Sequence, residues 1–183
     1  MEKEITIVYF VRHGSINLKE GEAVEQNPSL NEKGLKEAHN LARQFQKLKL
    51  EINSILTSNM KRATETAILI GNLIRKKPVP FSDFNEFSRS LFERKFLTKK
   101  FWINYFRYRK SCQKFDEILE RNKGQTILFV IHGNVIRGLM GHKAGLSFKQ
   151  TKHFSYNNAH ISRLTFHGKK LKTISYFNSK VLF

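Results

Sequence analysis

Cysteine is nearly absent from this chain. Cys112 is the single one, so no internal disulfide can form, and a reducing, cytoplasmic setting is expected. No Cys or His stands near it at metal-ligand spacing, and Cys112 reads as a helix-face thiol with no function. Aspartate is almost as scarce: only Asp83 and Asp116 occur, which removes the paired or Asp-rich sites that hard cations need. The seven histidines include no HExxH arrangement and no carboxylate-flanked cluster, so neither metal nor cofactor is expected. No Pro/Gly/Ser-rich linker and no internal repeat interrupts the 183 residues, which read as one domain, 1–183, with a sizeable core. A membrane-spanning helix needs about 20 apolar residues in succession, and no such run is present. The opening Met1-Glu2-Lys3-Glu4 leads into an apolar strand too short and wrongly flanked for a signal peptide.

Negative charge is the remaining scarcity. Lys and Arg outnumber Asp and Glu by 33 to 15, for a net charge of +18. No carboxylate follows Glu120, and from Arg89 to Lys114 the only acid is Glu93. A field of this sign concentrates phosphorylated, even polyanionic, substrates or binds acidic polymers and surfaces. A solvated lysine-rich surface is the plain alternative.

What is present is an alternation of strands and helices. Ile5 to Val11 and Thr126 to Ile131 are continuous apolar runs rich in strand-formers, as in strands buried on both faces. Between them, 14–28 reads as a loop. Asn31 caps a helix whose inward face is Leu35, Ala38, Leu41, Ala42, Phe45 and Leu48. Ile52 to Leu56 reads as a strand and Met60 to Lys76 as a helix with Ala63, Ala67, Ile70 and Ile74 inward. Val79 to Asp83 reads as an edge strand, the one place that tolerates its flanking prolines. Residues 84–123 read as a helical, aromatic-rich lid insertion, with Phe101, Trp102, Tyr105, Phe106, Tyr108 and Phe115. A helix from Asn134 to Ala144 and a hairpin, Ile161 to His167 and Leu171 to Phe177, close the chain. The pattern predicts a three-layer α/β/α sandwich around a mostly parallel mixed sheet.

The chemistry sits at strand ends, where α/β sheets place their ligands. Arg12-His13-Gly14 follows the first buried strand and His132-Gly133-Asn134 the second. Arginine's planar fork suits a phosphate, and the backbone N–H groups of Gly133 and Asn134 at a helix start suit an anion. Arg62 stands in the first turn of its helix, where the dipole disfavours a cation; presenting it to a phosphate explains the choice. A salt bridge to Glu65 or Glu32 is the bland alternative.

These motifs resemble, in order, those of the histidine phosphatase superfamily, also called phosphoglycerate mutase-like. Arg12-His13-Gly14 matches its RHG. Pro28-Ser29-Leu30-Asn31-Glu32-Lys33-Gly34 is similar to its "PLTxxG" helix start, and Thr57 to Ala67 to "SSxLxRAxxTA". Val130 to Arg137 resembles "VSHGGVIR", and Ser175 to Ser179 the closing "xxNxT". The resemblance implies a metal-independent phosphomonoester hydrolase of the histidine acid phosphatase type, with His13 as the nucleophile that becomes phosphohistidine. It implies phosphoryl-oxygen contacts from Arg12, Arg62 and His132, with Gly133 and Asn134 beside them. It also implies a general acid after the third strand, where Glu86 in Phe84-Asn85-Glu86 fits best and Glu93 and Asp83 compete. The family's asparagine follows the histidine by six residues; here Asn17 follows by four, so its contact with phosphate stands as an open expectation. Arg137 is expected to pack on its own helix. His39, His142, His153, His160 and His167 are expected to be structural or exposed.

Three alternatives stay open: a phosphoglycerate-type mutase, a protein phosphohistidine phosphatase, and a basic module that binds nucleic acid or acidic partners. The absence of any RNA-binding motif disfavours nucleic acid as a partner. The sequence carries no information on oligomeric state.

Overall fold

In the computed structural model, which describes residues 4–17, 27–88 and 98–181, the two apolar runs are neighbouring central strands. The elements in chain order are β1 (Ile5–Arg12), α1 (Glu32–Lys47), β2 (Ser54–Thr57), α2 (Lys61–Ile74) and β3 (Pro78–Pro80). A 3-10 turn (Ser82–Phe84), α3 (Lys99–Arg121), β4 (Thr126–Ile131), α4 (Gly133–Ala144), α5 (Phe148–Thr151), β5 (Ile161–His167) and β6 (Lys170–Ser179) follow. The sheet order is β3-β2-β4-β1-β5-β6. The first four strands are parallel, while β5 runs antiparallel to both β1 and β6.

Strand alternation divides the core into two layers, as period-2 geometry requires. Val8 and Phe10 of β1, with Ile127, Phe129 and Ile131 of β4, face α3 and α4. Tyr9 and Val11, with Leu128 and Val130, face α1 and α2. The fold is therefore the expected helix–sheet–helix sandwich. Phe10, Phe84, Phe115, Phe129 and Phe166 form its aromatic centre, with ring centroids 5.3–5.8 Å apart.

Several boundaries differ from expectation. Leu35 and Leu48 are exposed rather than inward, because α1 buries Gly34, Ala38, Leu41, Ala42 and Phe45 instead. Gly34 takes the inward position, and Leu35, one residue further round the helix, lies beyond it. The edge strand ends at Pro80, since Ser82 to Phe84 wind into the 3-10 turn. In the expected lid, α3 starts only at Lys99, capped by Thr98. Its C-terminal half, including Cys112, Phe115, Ile118 and Leu119, belongs to the core, whereas Trp102, Ile103 and Phe106 lie exposed near its start. Arg89 and Glu93 lie outside the described residues. Among the described residues, no helix is long and apolar enough to cross a membrane.

Candidate active site

Parallel pairing of β1 with β4 puts Arg12 opposite Ile131, so His13 and His132 leave the sheet side by side. Their ring centroids are 5.1 Å apart. The main chain at the end of β1 is tied down from several directions. His13 N–H donates to Ile131 O at 3.0 Å and Ala159 N–H donates to Arg12 O at 3.0 Å. Asn158 Nδ2 donates to the carbonyls of His13 and Gly14, and Gly14 N–H donates to Thr66 Oγ1. Both motif glycines are required by one backbone crossing. A Cβ on Gly14 would lie 2.5 Å from Gly34 O, and a Cβ on Gly34 would lie 2.0 Å from Ser15 O.

This framework fixes the proton on the His13 ring. Nδ1 lies 2.8 Å from Gly14 O; a carbonyl only accepts, so Nδ1 carries the hydrogen and Nε2 the lone pair. Nε2 receives a hydrogen bond from Arg62 Nε at 3.2 Å. Burial pushes the His13 pKa down to about 3, and the Arg62 and Arg12 charges push the same way against the Gly14 carbonyl. The imidazole is neutral at pH 7, the state a nitrogen nucleophile needs.

His132 is fully buried. Its Nε2 lies 2.7 Å from Ser58 Oγ, which accepts from Met60 N–H. Ser58 keeps its own hydrogen to give, and with that hydrogen pointed at Nε2 the His132 proton falls on Nδ1, 3.8 Å from Glu86 Oε2. Burial, then the neighbouring His13, Arg62 and Arg12, hold this ring well below the usual histidine range. It offers a neutral N–H.

Glu86 completes the cluster. Burial raises its carboxyl to about 7, against Arg62, Arg12, the Asn134 N–H and Arg137, which favour the anion. Near neutrality it can therefore both give and take a proton. Arg62 has no exposed surface, and Glu65 instead accepts from Leu30 N–H, so the surface salt-bridge alternative is not what α2 builds. Arg12 donates one Nη to Tyr156 O. Among the described residues, its buried Nε, His132 Nδ1 and Glu86 Oε1 have no hydrogen-bond partner. Buried polar atoms are nearly always paired, and three such atoms in one cradle mark a place built for a polar ligand.

His13, Glu86 and His132 each offer a possible metal-ligand atom, all within 4.8 Å of one another. Two guanidinium charges act on the same three groups. A cation there meets like charge, whereas an oxyanion meets donors from every side.

The other expected residues take different places. Gly133 packs against Arg12, where a Cβ would sit 3.4 Å from Arg12 Nε. Asn134 gives its N–H to Glu86 and its side-chain NH2 to Phe87 O, while its Oδ1 accepts from Arg137 Nη1. Asn17 Oδ1 accepts from the α1 cap Asn31. Arg137 is bound to Phe154 O. Asp83 pairs with Lys110 at 3.5 Å. Sequence reasoning missed Ser58, Thr66, Asn158 and Ala159. Ser58 and Thr66 stand inside the matched Thr57–Ala67 motif, which could have flagged them. Asn158 and Ala159 reach the site from an irregular loop that carries no pattern.

The family profile "Histidine phosphatase superfamily (branch 1)" matches residues 8–101 and 107–179, and the chain belongs to that superfamily. Solved structures with the same fold include a mycobacterial glucosyl-3-phosphoglycerate phosphatase at 16% identity and TM-score 0.76, covering 96% of this chain and 99% of that one. An alpha-ribazole phosphatase from Shigella flexneri is 19% identical with TM-score 0.77, over 97% and 98%. A phosphoglycerate mutase from Bacillus anthracis is 16% identical with TM-score 0.74, over 98% and 95%. No curated protein matches the sequence.

Proposed function

We propose that this protein is a metal-independent phosphomonoester hydrolase that works through a phosphohistidine on His13. The carrying observation is the His13 ring: neutral, with its lone pair on Nε2 and the Arg62 guanidinium beside that nitrogen. A phosphoryl group entering there takes over the Arg62 hydrogen bond and gains Arg12 Nε–H and His132 Nδ1–H, with the Gly133 turn behind them. Charge that develops on its equatorial oxygens is met by donors already in place.

Nε2 attacks phosphorus, the ester P–O bond breaks, and Glu86 hands its proton to the leaving alkoxide. Glu86, now a carboxylate, takes a proton from water as that water attacks the phosphohistidine. The N–P bond breaks, phosphate leaves, and both residues return to their starting states. The substrate is a small phosphorylated molecule of the general kind named for the structural neighbours. A mutase would share the first half-reaction and differ in passing the phosphoryl group to a second hydroxyl.

The test is p-nitrophenyl phosphate turnover in chelator by the native chain and by His13→Ala, with acid-labile phosphoenzyme trapped from the native chain. Expected are turnover that survives the chelator, loss in the variant, and release of inorganic phosphate. Equal activity in both proteins refutes the assignment. Phosphoryl transfer without release of free phosphate from the natural substrate favours the mutase.

A further inference from the structure

Helix α3 buries one side and leaves the other bare. Phe101, Asn104, Ser111, Cys112 and Phe115 are buried. On the outward side Trp102 and Phe106, four residues apart and so on one face, are 50% and 65% exposed, with Ile103 beside them at 45%. The Trp102 and Phe106 rings lie 6.3 Å apart, and Tyr105 links both to the buried Phe101 ring. This apolar ridge is thus anchored in the core while its crest faces solvent. Large apolar side chains grouped in this way mark an interaction surface.

The same stretch is basic throughout. Residues 99–110 include Lys99, Lys100, Arg107, Arg109 and Lys110 and no Asp or Glu. Lys99 and Lys100 open the helix with no acid in its first turn, against the preference of the dipole. Acids enter α3 only in its C-terminal half, where each is neutralised locally: Asp116 by Lys143, Glu117 by Lys114 and Glu120 by Lys123. Lys110 is taken by Asp83. Exposed Lys99, Lys100 and Arg109 form no ion pair among the described residues. An occupant of this face must therefore be apolar and anionic at once. A second copy of the chain would set these three cations against their own counterparts, because a two-fold contact apposes like surfaces. Single-stranded nucleic acid is held in a basic groove that tracks its backbone, whereas α3 presents a convex ridge that includes aliphatic Ile103.

We infer that the outward face of the first half of α3 docks on an anionic phospholipid surface. Trp102, Ile103 and Phe106 enter the boundary between headgroups and acyl chains, and Lys99, Lys100 and Arg109 lie among the headgroup phosphates. The acid-bearing C-terminal half stays clear of the bilayer. On its inner side the same helix holds the segment around Glu86: Asn104 Oδ1 accepts from Ser88 N–H at 2.8 Å, and Ser111 Oγ donates to Asp83 O. Docking uses the opposite side and leaves these contacts intact, so the inference stands apart from the hydrolase reading.

Trp102 is the chain's single tryptophan, so its fluorescence reports from the docking face itself. The full chain is titrated with vesicles of phosphatidylcholine alone and of an equimolar phosphatidylcholine–phosphatidylserine mixture, following co-sedimentation and Trp102 emission. Expected are binding to the mixed vesicles only, a blue shift, and quenching by lipids brominated in the acyl chain. Ile103→Ser/Phe106→Ser should weaken binding by about tenfold or more. Lys99→Gln/Arg109→Gln should weaken it by about fivefold per charge. Lys36→Gln/Lys172→Gln, which removes the same charge from exposed sites on α1 and β6, should stay within about twofold of the native chain. Binding without a change in Trp102 emission, or an equal loss in both charge variants, reduces the effect to diffuse attraction and overturns the docking face. No binding to mixed vesicles overturns it too, as does a blue shift that appears with protein concentration or with single-stranded RNA in their absence. None of these readings measures turnover, so the hydrolase assignment is judged separately.

Discussion

Replacing Glu86 by glutamine separates the cost of this residue to the fold from its use in chemistry. Burial lifts its pKa from 4.5 to about 7. A carboxyl raised in this way favours the folded state fully below about pH 4.5, where it is protonated in both states. That contribution is lost as pH climbs through 7, because the unfolded chain ionises freely while the folded one resists. The shift corresponds to about 3 kcal/mol at pH 9 relative to pH 4.5. Glutamine keeps the shape and cannot ionise. Glu86→Gln is therefore expected to lie near the native chain in stability at pH 4.5 and above it by up to about 3 kcal/mol at pH 9. With typical m-values this is a rise of about 1–2 M in urea midpoint. Activity should move the other way. The native kcat/KM holds a plateau between the His13 value near 3 and the Glu86 value near 7, then falls about tenfold per pH unit. The variant should lose that alkaline limb and most turnover of alkyl phosphates. A stability difference that stays constant from pH 4.5 to 9 refutes the burial argument.

Three further outcomes follow from contacts described above. Gly34→Ala forces a Cβ to within 2.0 Å of Ser15 O and should lower the melting temperature while displacing His13; an unaltered melting curve contradicts the crossing as drawn. Phe115→Ala removes a fully buried ring from the aromatic centre and should cost about 3–5 kcal/mol in urea unfolding, with a loss under 1 kcal/mol counting against its place there. Ser58→Ala frees the His132 ring from its Nε2 partner and should weaken inhibition by inorganic phosphate by about tenfold, whereas unchanged inhibition would separate Ser58 from the oxyanion site.

Much of this arrangement is legible from residues alone, for identifiable reasons. β1 and β4 announce themselves because a strand buried on both faces has no polar break until its end, so the first polar residues there are His13 and His132. Arg62 stands out because a cation opposes the helix dipole at that position. In the sequence, only resemblance to a family motif favours Glu86 over Asp83; where each acid points needed three dimensions, since the turn at Ser82–Phe84 sends one to His132 and the other to Lys110. Leu35 misled because an apolar residue at helical spacing looks inward unless a glycine has claimed the contact. Asn158 and Ala159 were invisible because they act through an amide and a backbone N–H, which leave no trace in periodicity. The hydrogens on His13 and His132 depend on Gly14, Ser58 and Met60, and no sequence spacing encodes a tautomer.

The ties at the end of β1 carry a consequence for biosynthesis. Arg12 and His13 precede in the chain the groups that hold and orient them, which arrive with Thr66, Ile131, Asn158 and Ala159. Until those residues follow, the His13 imidazole of a growing polypeptide is an ordinary, hydrated side chain. The proposed nucleophile is fully held only once the segment leading into β5 has docked, so under the hydrolase reading activity reports that docking.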